Sequence, residues 1–156
     1  MKRILVFSDT HGNISRCIET IDNIKDIDLI IHLGDTVRDA AELEKIYPHI
    51  EFKYVSGNND FYSKAPSKLV VEFDGIRLFC CHGHQMSDIA LYEYAKENNC
   101  SYVLTGHTHR SHIIKEDNIT FMNPGSISRP RDSKFSYGVI ETENGIVKEA
   151  IIGREY

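Results

Sequence analysis

The sequence predicts an α/β protein in which two mixed β-sheets pack face to face with helices on the outside. Three observations predict it. The first third alternates short apolar runs with amphipathic segments, which is the pattern of β-α-β-α-β and of a parallel sheet with right-handed crossovers. The remainder is dominated by three pairs of apolar runs joined by Asp74-Gly75, Asp117-Asn118 and Asn144-Gly145, the turn dipeptides of hairpins. Finally, 156 residues suffice for one domain, 1–156, with its own core. Size scaling gives roughly 8,000 Å² of folded surface against roughly 26,000 Å² for the extended chain.

Each element follows from local pattern. Residues 3–8 are nearly all apolar and read as a strand buried on both faces. Asn13 is placed to cap a helix in which Ile14, Cys17, Ile18 and Ile21 recur with helical spacing. Residues 28–33 form a second buried strand. A helix over about 38–46, rich in Ala, Glu and Leu, ends before Pro48. Residues 51–56 make a third strand. Hairpin strands are expected at 68–73 and 76–81, at 112–115 and 119–122, and at 137–142 and 146–151. A helix over about 87–97 and a strand over 102–105 lie between the first two hairpins.

Composition excludes several function classes. With 18 basic and 23 acidic residues the net charge is −5, which does not suit a binder of nucleic-acid polymer. The longest apolar runs are about half a dozen residues, far short of the roughly 18 of a membrane span, and the N-terminal run before Asp9 is too short for a signal peptide. A cytoplasmic protein is the expectation, without membrane association. The four cysteines, Cys17, Cys80, Cys81 and Cys100, lack metal-type spacing and read as reduced, mostly buried small apolar residues.

The chemistry is concentrated at strand ends. Five of the eight histidines sit in short polar motifs. The five runs that precede these motifs end in Asp9-Thr10-His11-Gly12, Gly34-Asp35, Gly57-Asn58-Asn59-Asp60, His82-Gly83-His84 and Gly106-His107-Thr108-His109. Taken singly, each motif also reads as a turn, a helix cap or a solvated loop. Together they put metal-capable side chains on one rim, beyond the carboxyl ends of the strands, where open α/β sheets bind ligands. Two Asp, one Asn and three or four His are too many for a single tetrahedral zinc. They suit two divalent ions sharing a bridging carboxylate, and the His/Asp/Asn mixture suits Mn²⁺, Fe²⁺, Zn²⁺ or Ni²⁺. Two dications against two carboxylates leave about +2, a charge that attracts a phosphoryl group.

On these residues the chain resembles the calcineurin-like metallophosphoesterases, in particular their small bacterial and archaeal phosphodiesterase branch, whose relatives include Vps29-type proteins. The resemblance runs from the first motif through Asn123-Pro124-Gly125-Ser126 to about residue 131. It implies a four-layer α/β/β/α sandwich and a phosphodiesterase, or phosphoesterase, acting by in-line attack of a metal-bridging hydroxide. It assigns one metal to Asp9, His11, Asp35 and His109, the other to Asp35, Asn58, His82 and His107, with Asp35 bridging. Two divalent ions per chain are therefore expected, with Mn²⁺ the first choice. Each ligating His needs an acceptor for its second ring N–H.

Many members of the family carry His after the Asn of the third motif, as an acid for the leaving group. Asn59 stands there. It cannot protonate, but it can donate to a phosphoryl oxygen. Asp60 and His84 are the remaining catalytic-acid candidates; Asp60 reads equally as a turn residue, and His84 as a group steadying a ligand or a solvated rim residue. Asn58, Asn59, Arg129 and Arg131 are the candidate phosphate-binding residues, with an Arg131–Asp132 contact as the alternative for the arginine loop. His32 reads as a satisfied core histidine, His49 and His112 as surface or loop residues. Phe61 and Tyr62 read as packing residues, with stacking on a base as the alternative. The expected partner is a small phosphorylated substrate, and the hairpin edges leave a homo-oligomer open. The alternative function is a non-catalytic interaction module of the Vps29 kind, which would be expected to have lost ligands.

Overall fold

The computed structural model describes residues 1–61, 63–132 and 134–155, with Glu155 described by its backbone only. Ten strands and three helices follow one another: β1 (Lys2–Phe7), α1 (Ser15–Asn23), β2 (Leu29–His32), α2 (Val37–Ile46), β3 (Glu51–Tyr54), β4 (Lys68–Phe73), β5 (Ile76–Cys81), α3 (Asp88–Glu97), β6 (Tyr102–Leu104), β7 (His112–Glu116), β8 (Ile119–Asn123), β9 (Phe135–Glu143) and β10 (Ile146–Glu155). They form two five-stranded mixed sheets, ordered β10-β9-β1-β2-β3 and β4-β5-β6-β8-β7. In the first, β1, β2 and β3 run parallel and β9 and β10 close it antiparallel. In the second, β5, β6 and β8 run parallel, with β4 and β7 antiparallel at the edges.

Side-chain alternation along the buried strands builds the layers. Ile4, Val6, Leu29 and Ile31 face Leu78, Cys80, Leu104 and Met122 across the space between the sheets. Their neighbours Leu5, Phe7 and Ile30 face outward, onto Cys17, Ile21 and Leu43 of α1 and α2. Phe79, Cys81 and Val103 face the other way, onto Leu91 and Ala95 of α3. Three apolar seams between four layers are the expected α/β/β/α sandwich. The accessible surface is 8000 Å², as the size scaling predicts. All four cysteines are buried. Among the described residues no helix is long and apolar enough to cross a membrane.

Several boundaries move for physical reasons. The cap position of α1 is Ile14, without a side-chain cap; Asn13 instead accepts from Ser15 N at 3.3 Å and Ser15 Oγ at 2.8 Å, one residue ahead of the predicted role. Ser87, in contrast, caps α3 by accepting from Ala90 N at 3.1 Å. The β9–β10 hairpin outruns its apolar pattern because the backbone ladder between the two strands continues to Phe135↔Glu155, beyond the Gly138–Thr142 stretch that also pairs with β1. Its turn residues Asn144 and Gly145 have φ of 50° and 81°, and Asp74 and Gly75 have 47° and 83°, as tight hairpin turns require.

Candidate metal centre

All five motif loops meet at one end of the two sheets. Asp9, His11, Asp35, His107 and His109 all have positive φ, between 47° and 72°, a region that non-glycine residues rarely occupy. Strain of this kind is held only where the surroundings fix it. Here the surroundings include two glycines that permit close approach. A Cβ on Gly106 would lie 1.9 Å from Ser8 Oγ and 2.8 Å from Asp9 Oδ2, and one on Gly57 would lie 2.2 Å from Asp35 Oδ1.

The ligand-type atoms converge in two groups, Asp9 with His11 and His109, and Asp9 with Asp35 and His82. Asp9 Oδ1 lies 3.3 Å from His109 Nε2, 3.7 Å from His82 Nε2 and 3.8 Å from His11 Nε2. Asp35 Oδ2 lies 3.5 Å from His82 Nε2 and 3.9 Å from His11 Nε2. Both carboxylates thus stand between the histidines that the family resemblance divides between two metals. Asp9, rather than Asp35, is common to the two groups. Asn58 and His107, the other two predicted ligands, line the same cleft and hydrogen-bond each other, His107 Nδ1 to Asn58 Oδ1 at 3.1 Å.

The histidine tautomers are fixed by carbonyl acceptors. His82 Nδ1 is 2.7 Å from Leu33 O and His109 Nδ1 is 2.5 Å from Arg129 O. A carbonyl only accepts, so each Nδ1 carries the proton and each Nε2 is left to face the cluster with a lone pair or a second proton. Asp9 Oδ1 and His82 Nε2 are buried without a hydrogen-bond partner. Such atoms are costly to leave unpaired. Divalent cations among these atoms would satisfy them, and the acceptors on Nδ1 are those that ligating histidines need. The residues therefore fit the metals that the sequence implies.

The charges agree. Burial alone would raise the Asp35 carboxyl, but the His82 imidazole and two hydrogen bonds from Asn59 outweigh it and hold the group well below the usual carboxylate range. Burial would lower His82, but Asp35 and Asp9 outweigh it and raise the imidazole. His11 and His107 are lowered, in both cases first by burial.

The remaining predicted site residues divide. Asn59 donates its backbone N–H to Asp35 Oδ1 at 2.9 Å and its side-chain amide to Asp35 Oδ2 at 2.8 Å, so in this structure it holds a carboxylate and not a phosphoryl group. Asp60 turns away from the cleft: Oδ2 accepts from Asp35 N at 2.8 Å and Gly57 N at 2.7 Å, and Oδ1 from Val37 N at 2.7 Å. With both oxygens committed to backbone donors, Asp60 is a clamp between the second and third loops, as the turn-residue alternative has it, and not a group facing a leaving alkoxide. His84 is exposed, its ring centroid 5.4 Å from that of His82 and 6.0 Å from that of His107, and burial followed by those two imidazoles lowers it. Arg129 and Arg131 line a cleft of about 300 Å³ with His11, Asp35, Asn58, Asn59, His107 and His109. The Arg131–Asp132 contact is replaced: Asp132 Oδ2 accepts from Ser111 N and Oγ and pairs with Arg154 at 3.8 Å. Phe61 is 76% exposed and does not pack; Tyr62 lies outside the described residues.

Sequence reading missed the residues that brace the loops. Ser126 Oγ donates to Asp9 O at 2.8 Å, and Ser128 Oγ to Thr10 O at 2.7 Å. Asn123 Nδ2 donates to Gly106 O at 2.9 Å and Thr108 Oγ1 at 3.1 Å while its oxygen accepts from Gly125 N, so the Asn-Pro-Gly-Ser turn shapes the His107-Thr108-His109 loop. The only signal was a run of small polar residues after a strand, and nothing in it indicated partners over a hundred positions away.

His32 is a satisfied core histidine with a bracing role. Gly34 N donates to its Nδ1 at 3.1 Å, which leaves Nε2–H to donate to Thr10 Oγ1 at 3.0 Å and ties the first loop to the second. Burial pushes its pKa down to about 4. The unfolded chain takes up this proton near pH 6.5 and the folded one does not, so stability present above pH 6.5 is lost as pH falls toward 4, by about 3 kcal/mol from this group. Urea titrations of metal-free protein at pH 7 and pH 4 should show that difference between wild type and His32→Gln; parallel losses in the two proteins would contradict it.

Comparison with known proteins adds four findings. Residues 1–145 match the family model described as the calcineurin-like phosphoesterase superfamily domain. A protein of Mycoplasma pneumoniae named as a probable metallophosphoesterase is 30% identical over 141 residues, 86% of this chain and 84% of that one. A phosphodiesterase of Methanocaldococcus jannaschii is 28% identical over 169 residues, covering 96% of this chain and 99% of that one. Among solved structures, Entamoeba histolytica Vps29 complexed with Zn²⁺ superposes with a TM-score of 0.79 at 19% identity over 98% of each chain, a likeness of fold.

Proposed function

The chain belongs to the calcineurin-like phosphoesterase superfamily, and on that premise we propose that it is a dimetal-dependent phosphodiesterase. The observation that carries the reading is the convergence of two ligand groups, with Asp35 Oδ2 3.9 Å from His11 and 3.5 Å from His82 and with Asp9 Oδ1 and His82 Nε2 buried and unpaired beside it. Asp9, His11 and His109 would hold one ion, Asn58, His82 and His107 the other, and Asp35 both. Bound there, two divalent cations, Mn²⁺ first and Fe²⁺, Ni²⁺ or Zn²⁺ next, supply Lewis acidity and a hydroxide nucleophile at neutral pH.

The chain's own residues prepare that chemistry. Ser8 Oγ at 2.6 Å and His107 N at 3.0 Å fix Asp9 Oδ2, which aims Oδ1 at the histidines. Leu33 O and Arg129 O fix the rings of His82 and His109, and Asn59 fixes both oxygens of Asp35. Arg129 and Arg131 bring positive charge to the cleft, where a phosphoryl group would be held. Four buried thiols suit a reducing, cytoplasmic setting.

The test is turnover of bis(p-nitrophenyl) phosphate. Hydrolysis should require added Mn²⁺, vanish with EDTA and return when Mn²⁺ is restored. Folded, metal-loaded protein that turns over no diester would instead favour the interaction-module alternative, against which the retention of all seven ligand residues stands.

A further inference from the structure

We propose that Arg129 and Arg131 form a second anion subsite beside the metal centre, so that the preferred substrate is a phosphodiester carrying a further phosphate. The proposal rests on the dimetal phosphodiesterase reading and narrows its substrate class.

The loop is rigid where it meets the centre and its side chains are left over. Ser126 Oγ accepts from Arg129 N at 2.8 Å, Arg131 N donates to His109 O at 2.9 Å, and Asp132 is tied to Ser111 and Arg154. The backbone is thus held at both arginines. Neither guanidinium has a hydrogen bond or ion pair among the described residues, although both line the cleft and both are exposed. Asp35 is the one carboxylate in that lining, and Asn59 and His82 already engage it. Among the described residues the two arginines therefore have no protein anion to neutralise. Arg129 is close enough to the centre for its charge to act on the His11 imidazole.

Charge counting gives the substrate class. Two dications against Asp9 and Asp35 leave +2, and the arginines raise it to +4. An attacking hydroxide reduces it to +3, and a diester, with one negative charge, to +2. A terminal phosphate, close to −2, balances the remainder, and guanidinium forks match its oxygens. In a chain of net charge −5 this cleft is a local exception, so the attraction is directed to it.

Thymidine 3′,5′-bisphosphate and thymidine 5′-monophosphate differ only in the second phosphate. Calorimetry on Mn²⁺-loaded protein should find the bisphosphate bound about 10- to 100-fold more tightly, as charge-assisted hydrogen bonds to one or two guanidiniums imply. In the Arg129→Gln/Arg131→Gln variant the ratio should fall to within about threefold, with the circular dichroism spectrum unchanged. Equal binding of the two nucleotides by wild type, no binding of either, or a ratio that survives the double substitution would each overturn the proposal. Because calorimetry requires no turnover, a failed hydrolysis assay would count against the phosphodiesterase reading and leave this ratio to be read on its own.

Discussion

Asp35→Asn and His82→Ala are each expected to reduce Mn²⁺-stimulated diester hydrolysis by about 10³-fold or more, the largest effects in this account. Several kcal/mol of transition-state charge stabilisation depend on the ions staying in place, and about 4 kcal/mol corresponds to 10³ in rate. Asp35 stands between His11 and His82, so its neutral amide removes the charge that faces both imidazoles and turns one N–H₂ toward the Asn59 donors. His82→Ala removes the one buried ring whose Nε2 faces both carboxylates. His107→Ala should act through the same loss, and because His107 is exposed, its Tm should stay within about 3 °C of wild type. Steady-state kinetics beside thermal melts separate the two effects. Variants that keep most of their metal-dependent turnover would contradict the ligand assignment.

The second large effect concerns the leaving group. Asn59 has no proton to give, Asp60 is committed to three backbone N–H groups, and His84 is lowered and exposed at the rim. The kcat/KM of a series of aryl and alkyl phosphodiesters should therefore fall steeply as leaving-group pKa rises. A general acid is worth about 10²–10⁴-fold, and most for the poorest leaving groups. Asn59→His should flatten the slope by that order at the alkyl end. Asn59→Ala should slow all members by a similar factor, since it frees Asp35 Oδ2 without touching proton supply. A flat slope in wild type, with chemistry rate-limiting, would place the proton on another residue, and His84 would be the first to substitute.

Much of this was legible in the sequence because its cause is local. Asp74-Gly75 sets the β4–β5 register, and the apolar runs on either side give both strands their full length. The helix expected over about 87–97 forms over Asp88–Glu97, with Ser87 as its cap. The five motifs lie where their strands end, so strand order alone brings them together. What escaped was non-local. That Asp9 Oδ1 reaches imidazoles of both ligand groups depends on side-chain placement across both sheets. The clamping role of Asp60 depends on backbone N–H groups 25 and 23 positions earlier, which no spacing rule reaches. The extra length of β9 and β10 comes from the ladder between these two strands and not from hydrophobic alternation.

The central claim is that two divalent ions sit among Asp9, His11, Asp35, Asn58, His82, His107 and His109. Anomalous scattering at the manganese edge from crystals grown with Mn²⁺ tests it most directly. Two peaks per chain within bonding distance of these side chains, with Asp35 touching both, are the predicted result. A single peak, a lone tetrahedral zinc, or none with Mn²⁺ in excess would contradict it.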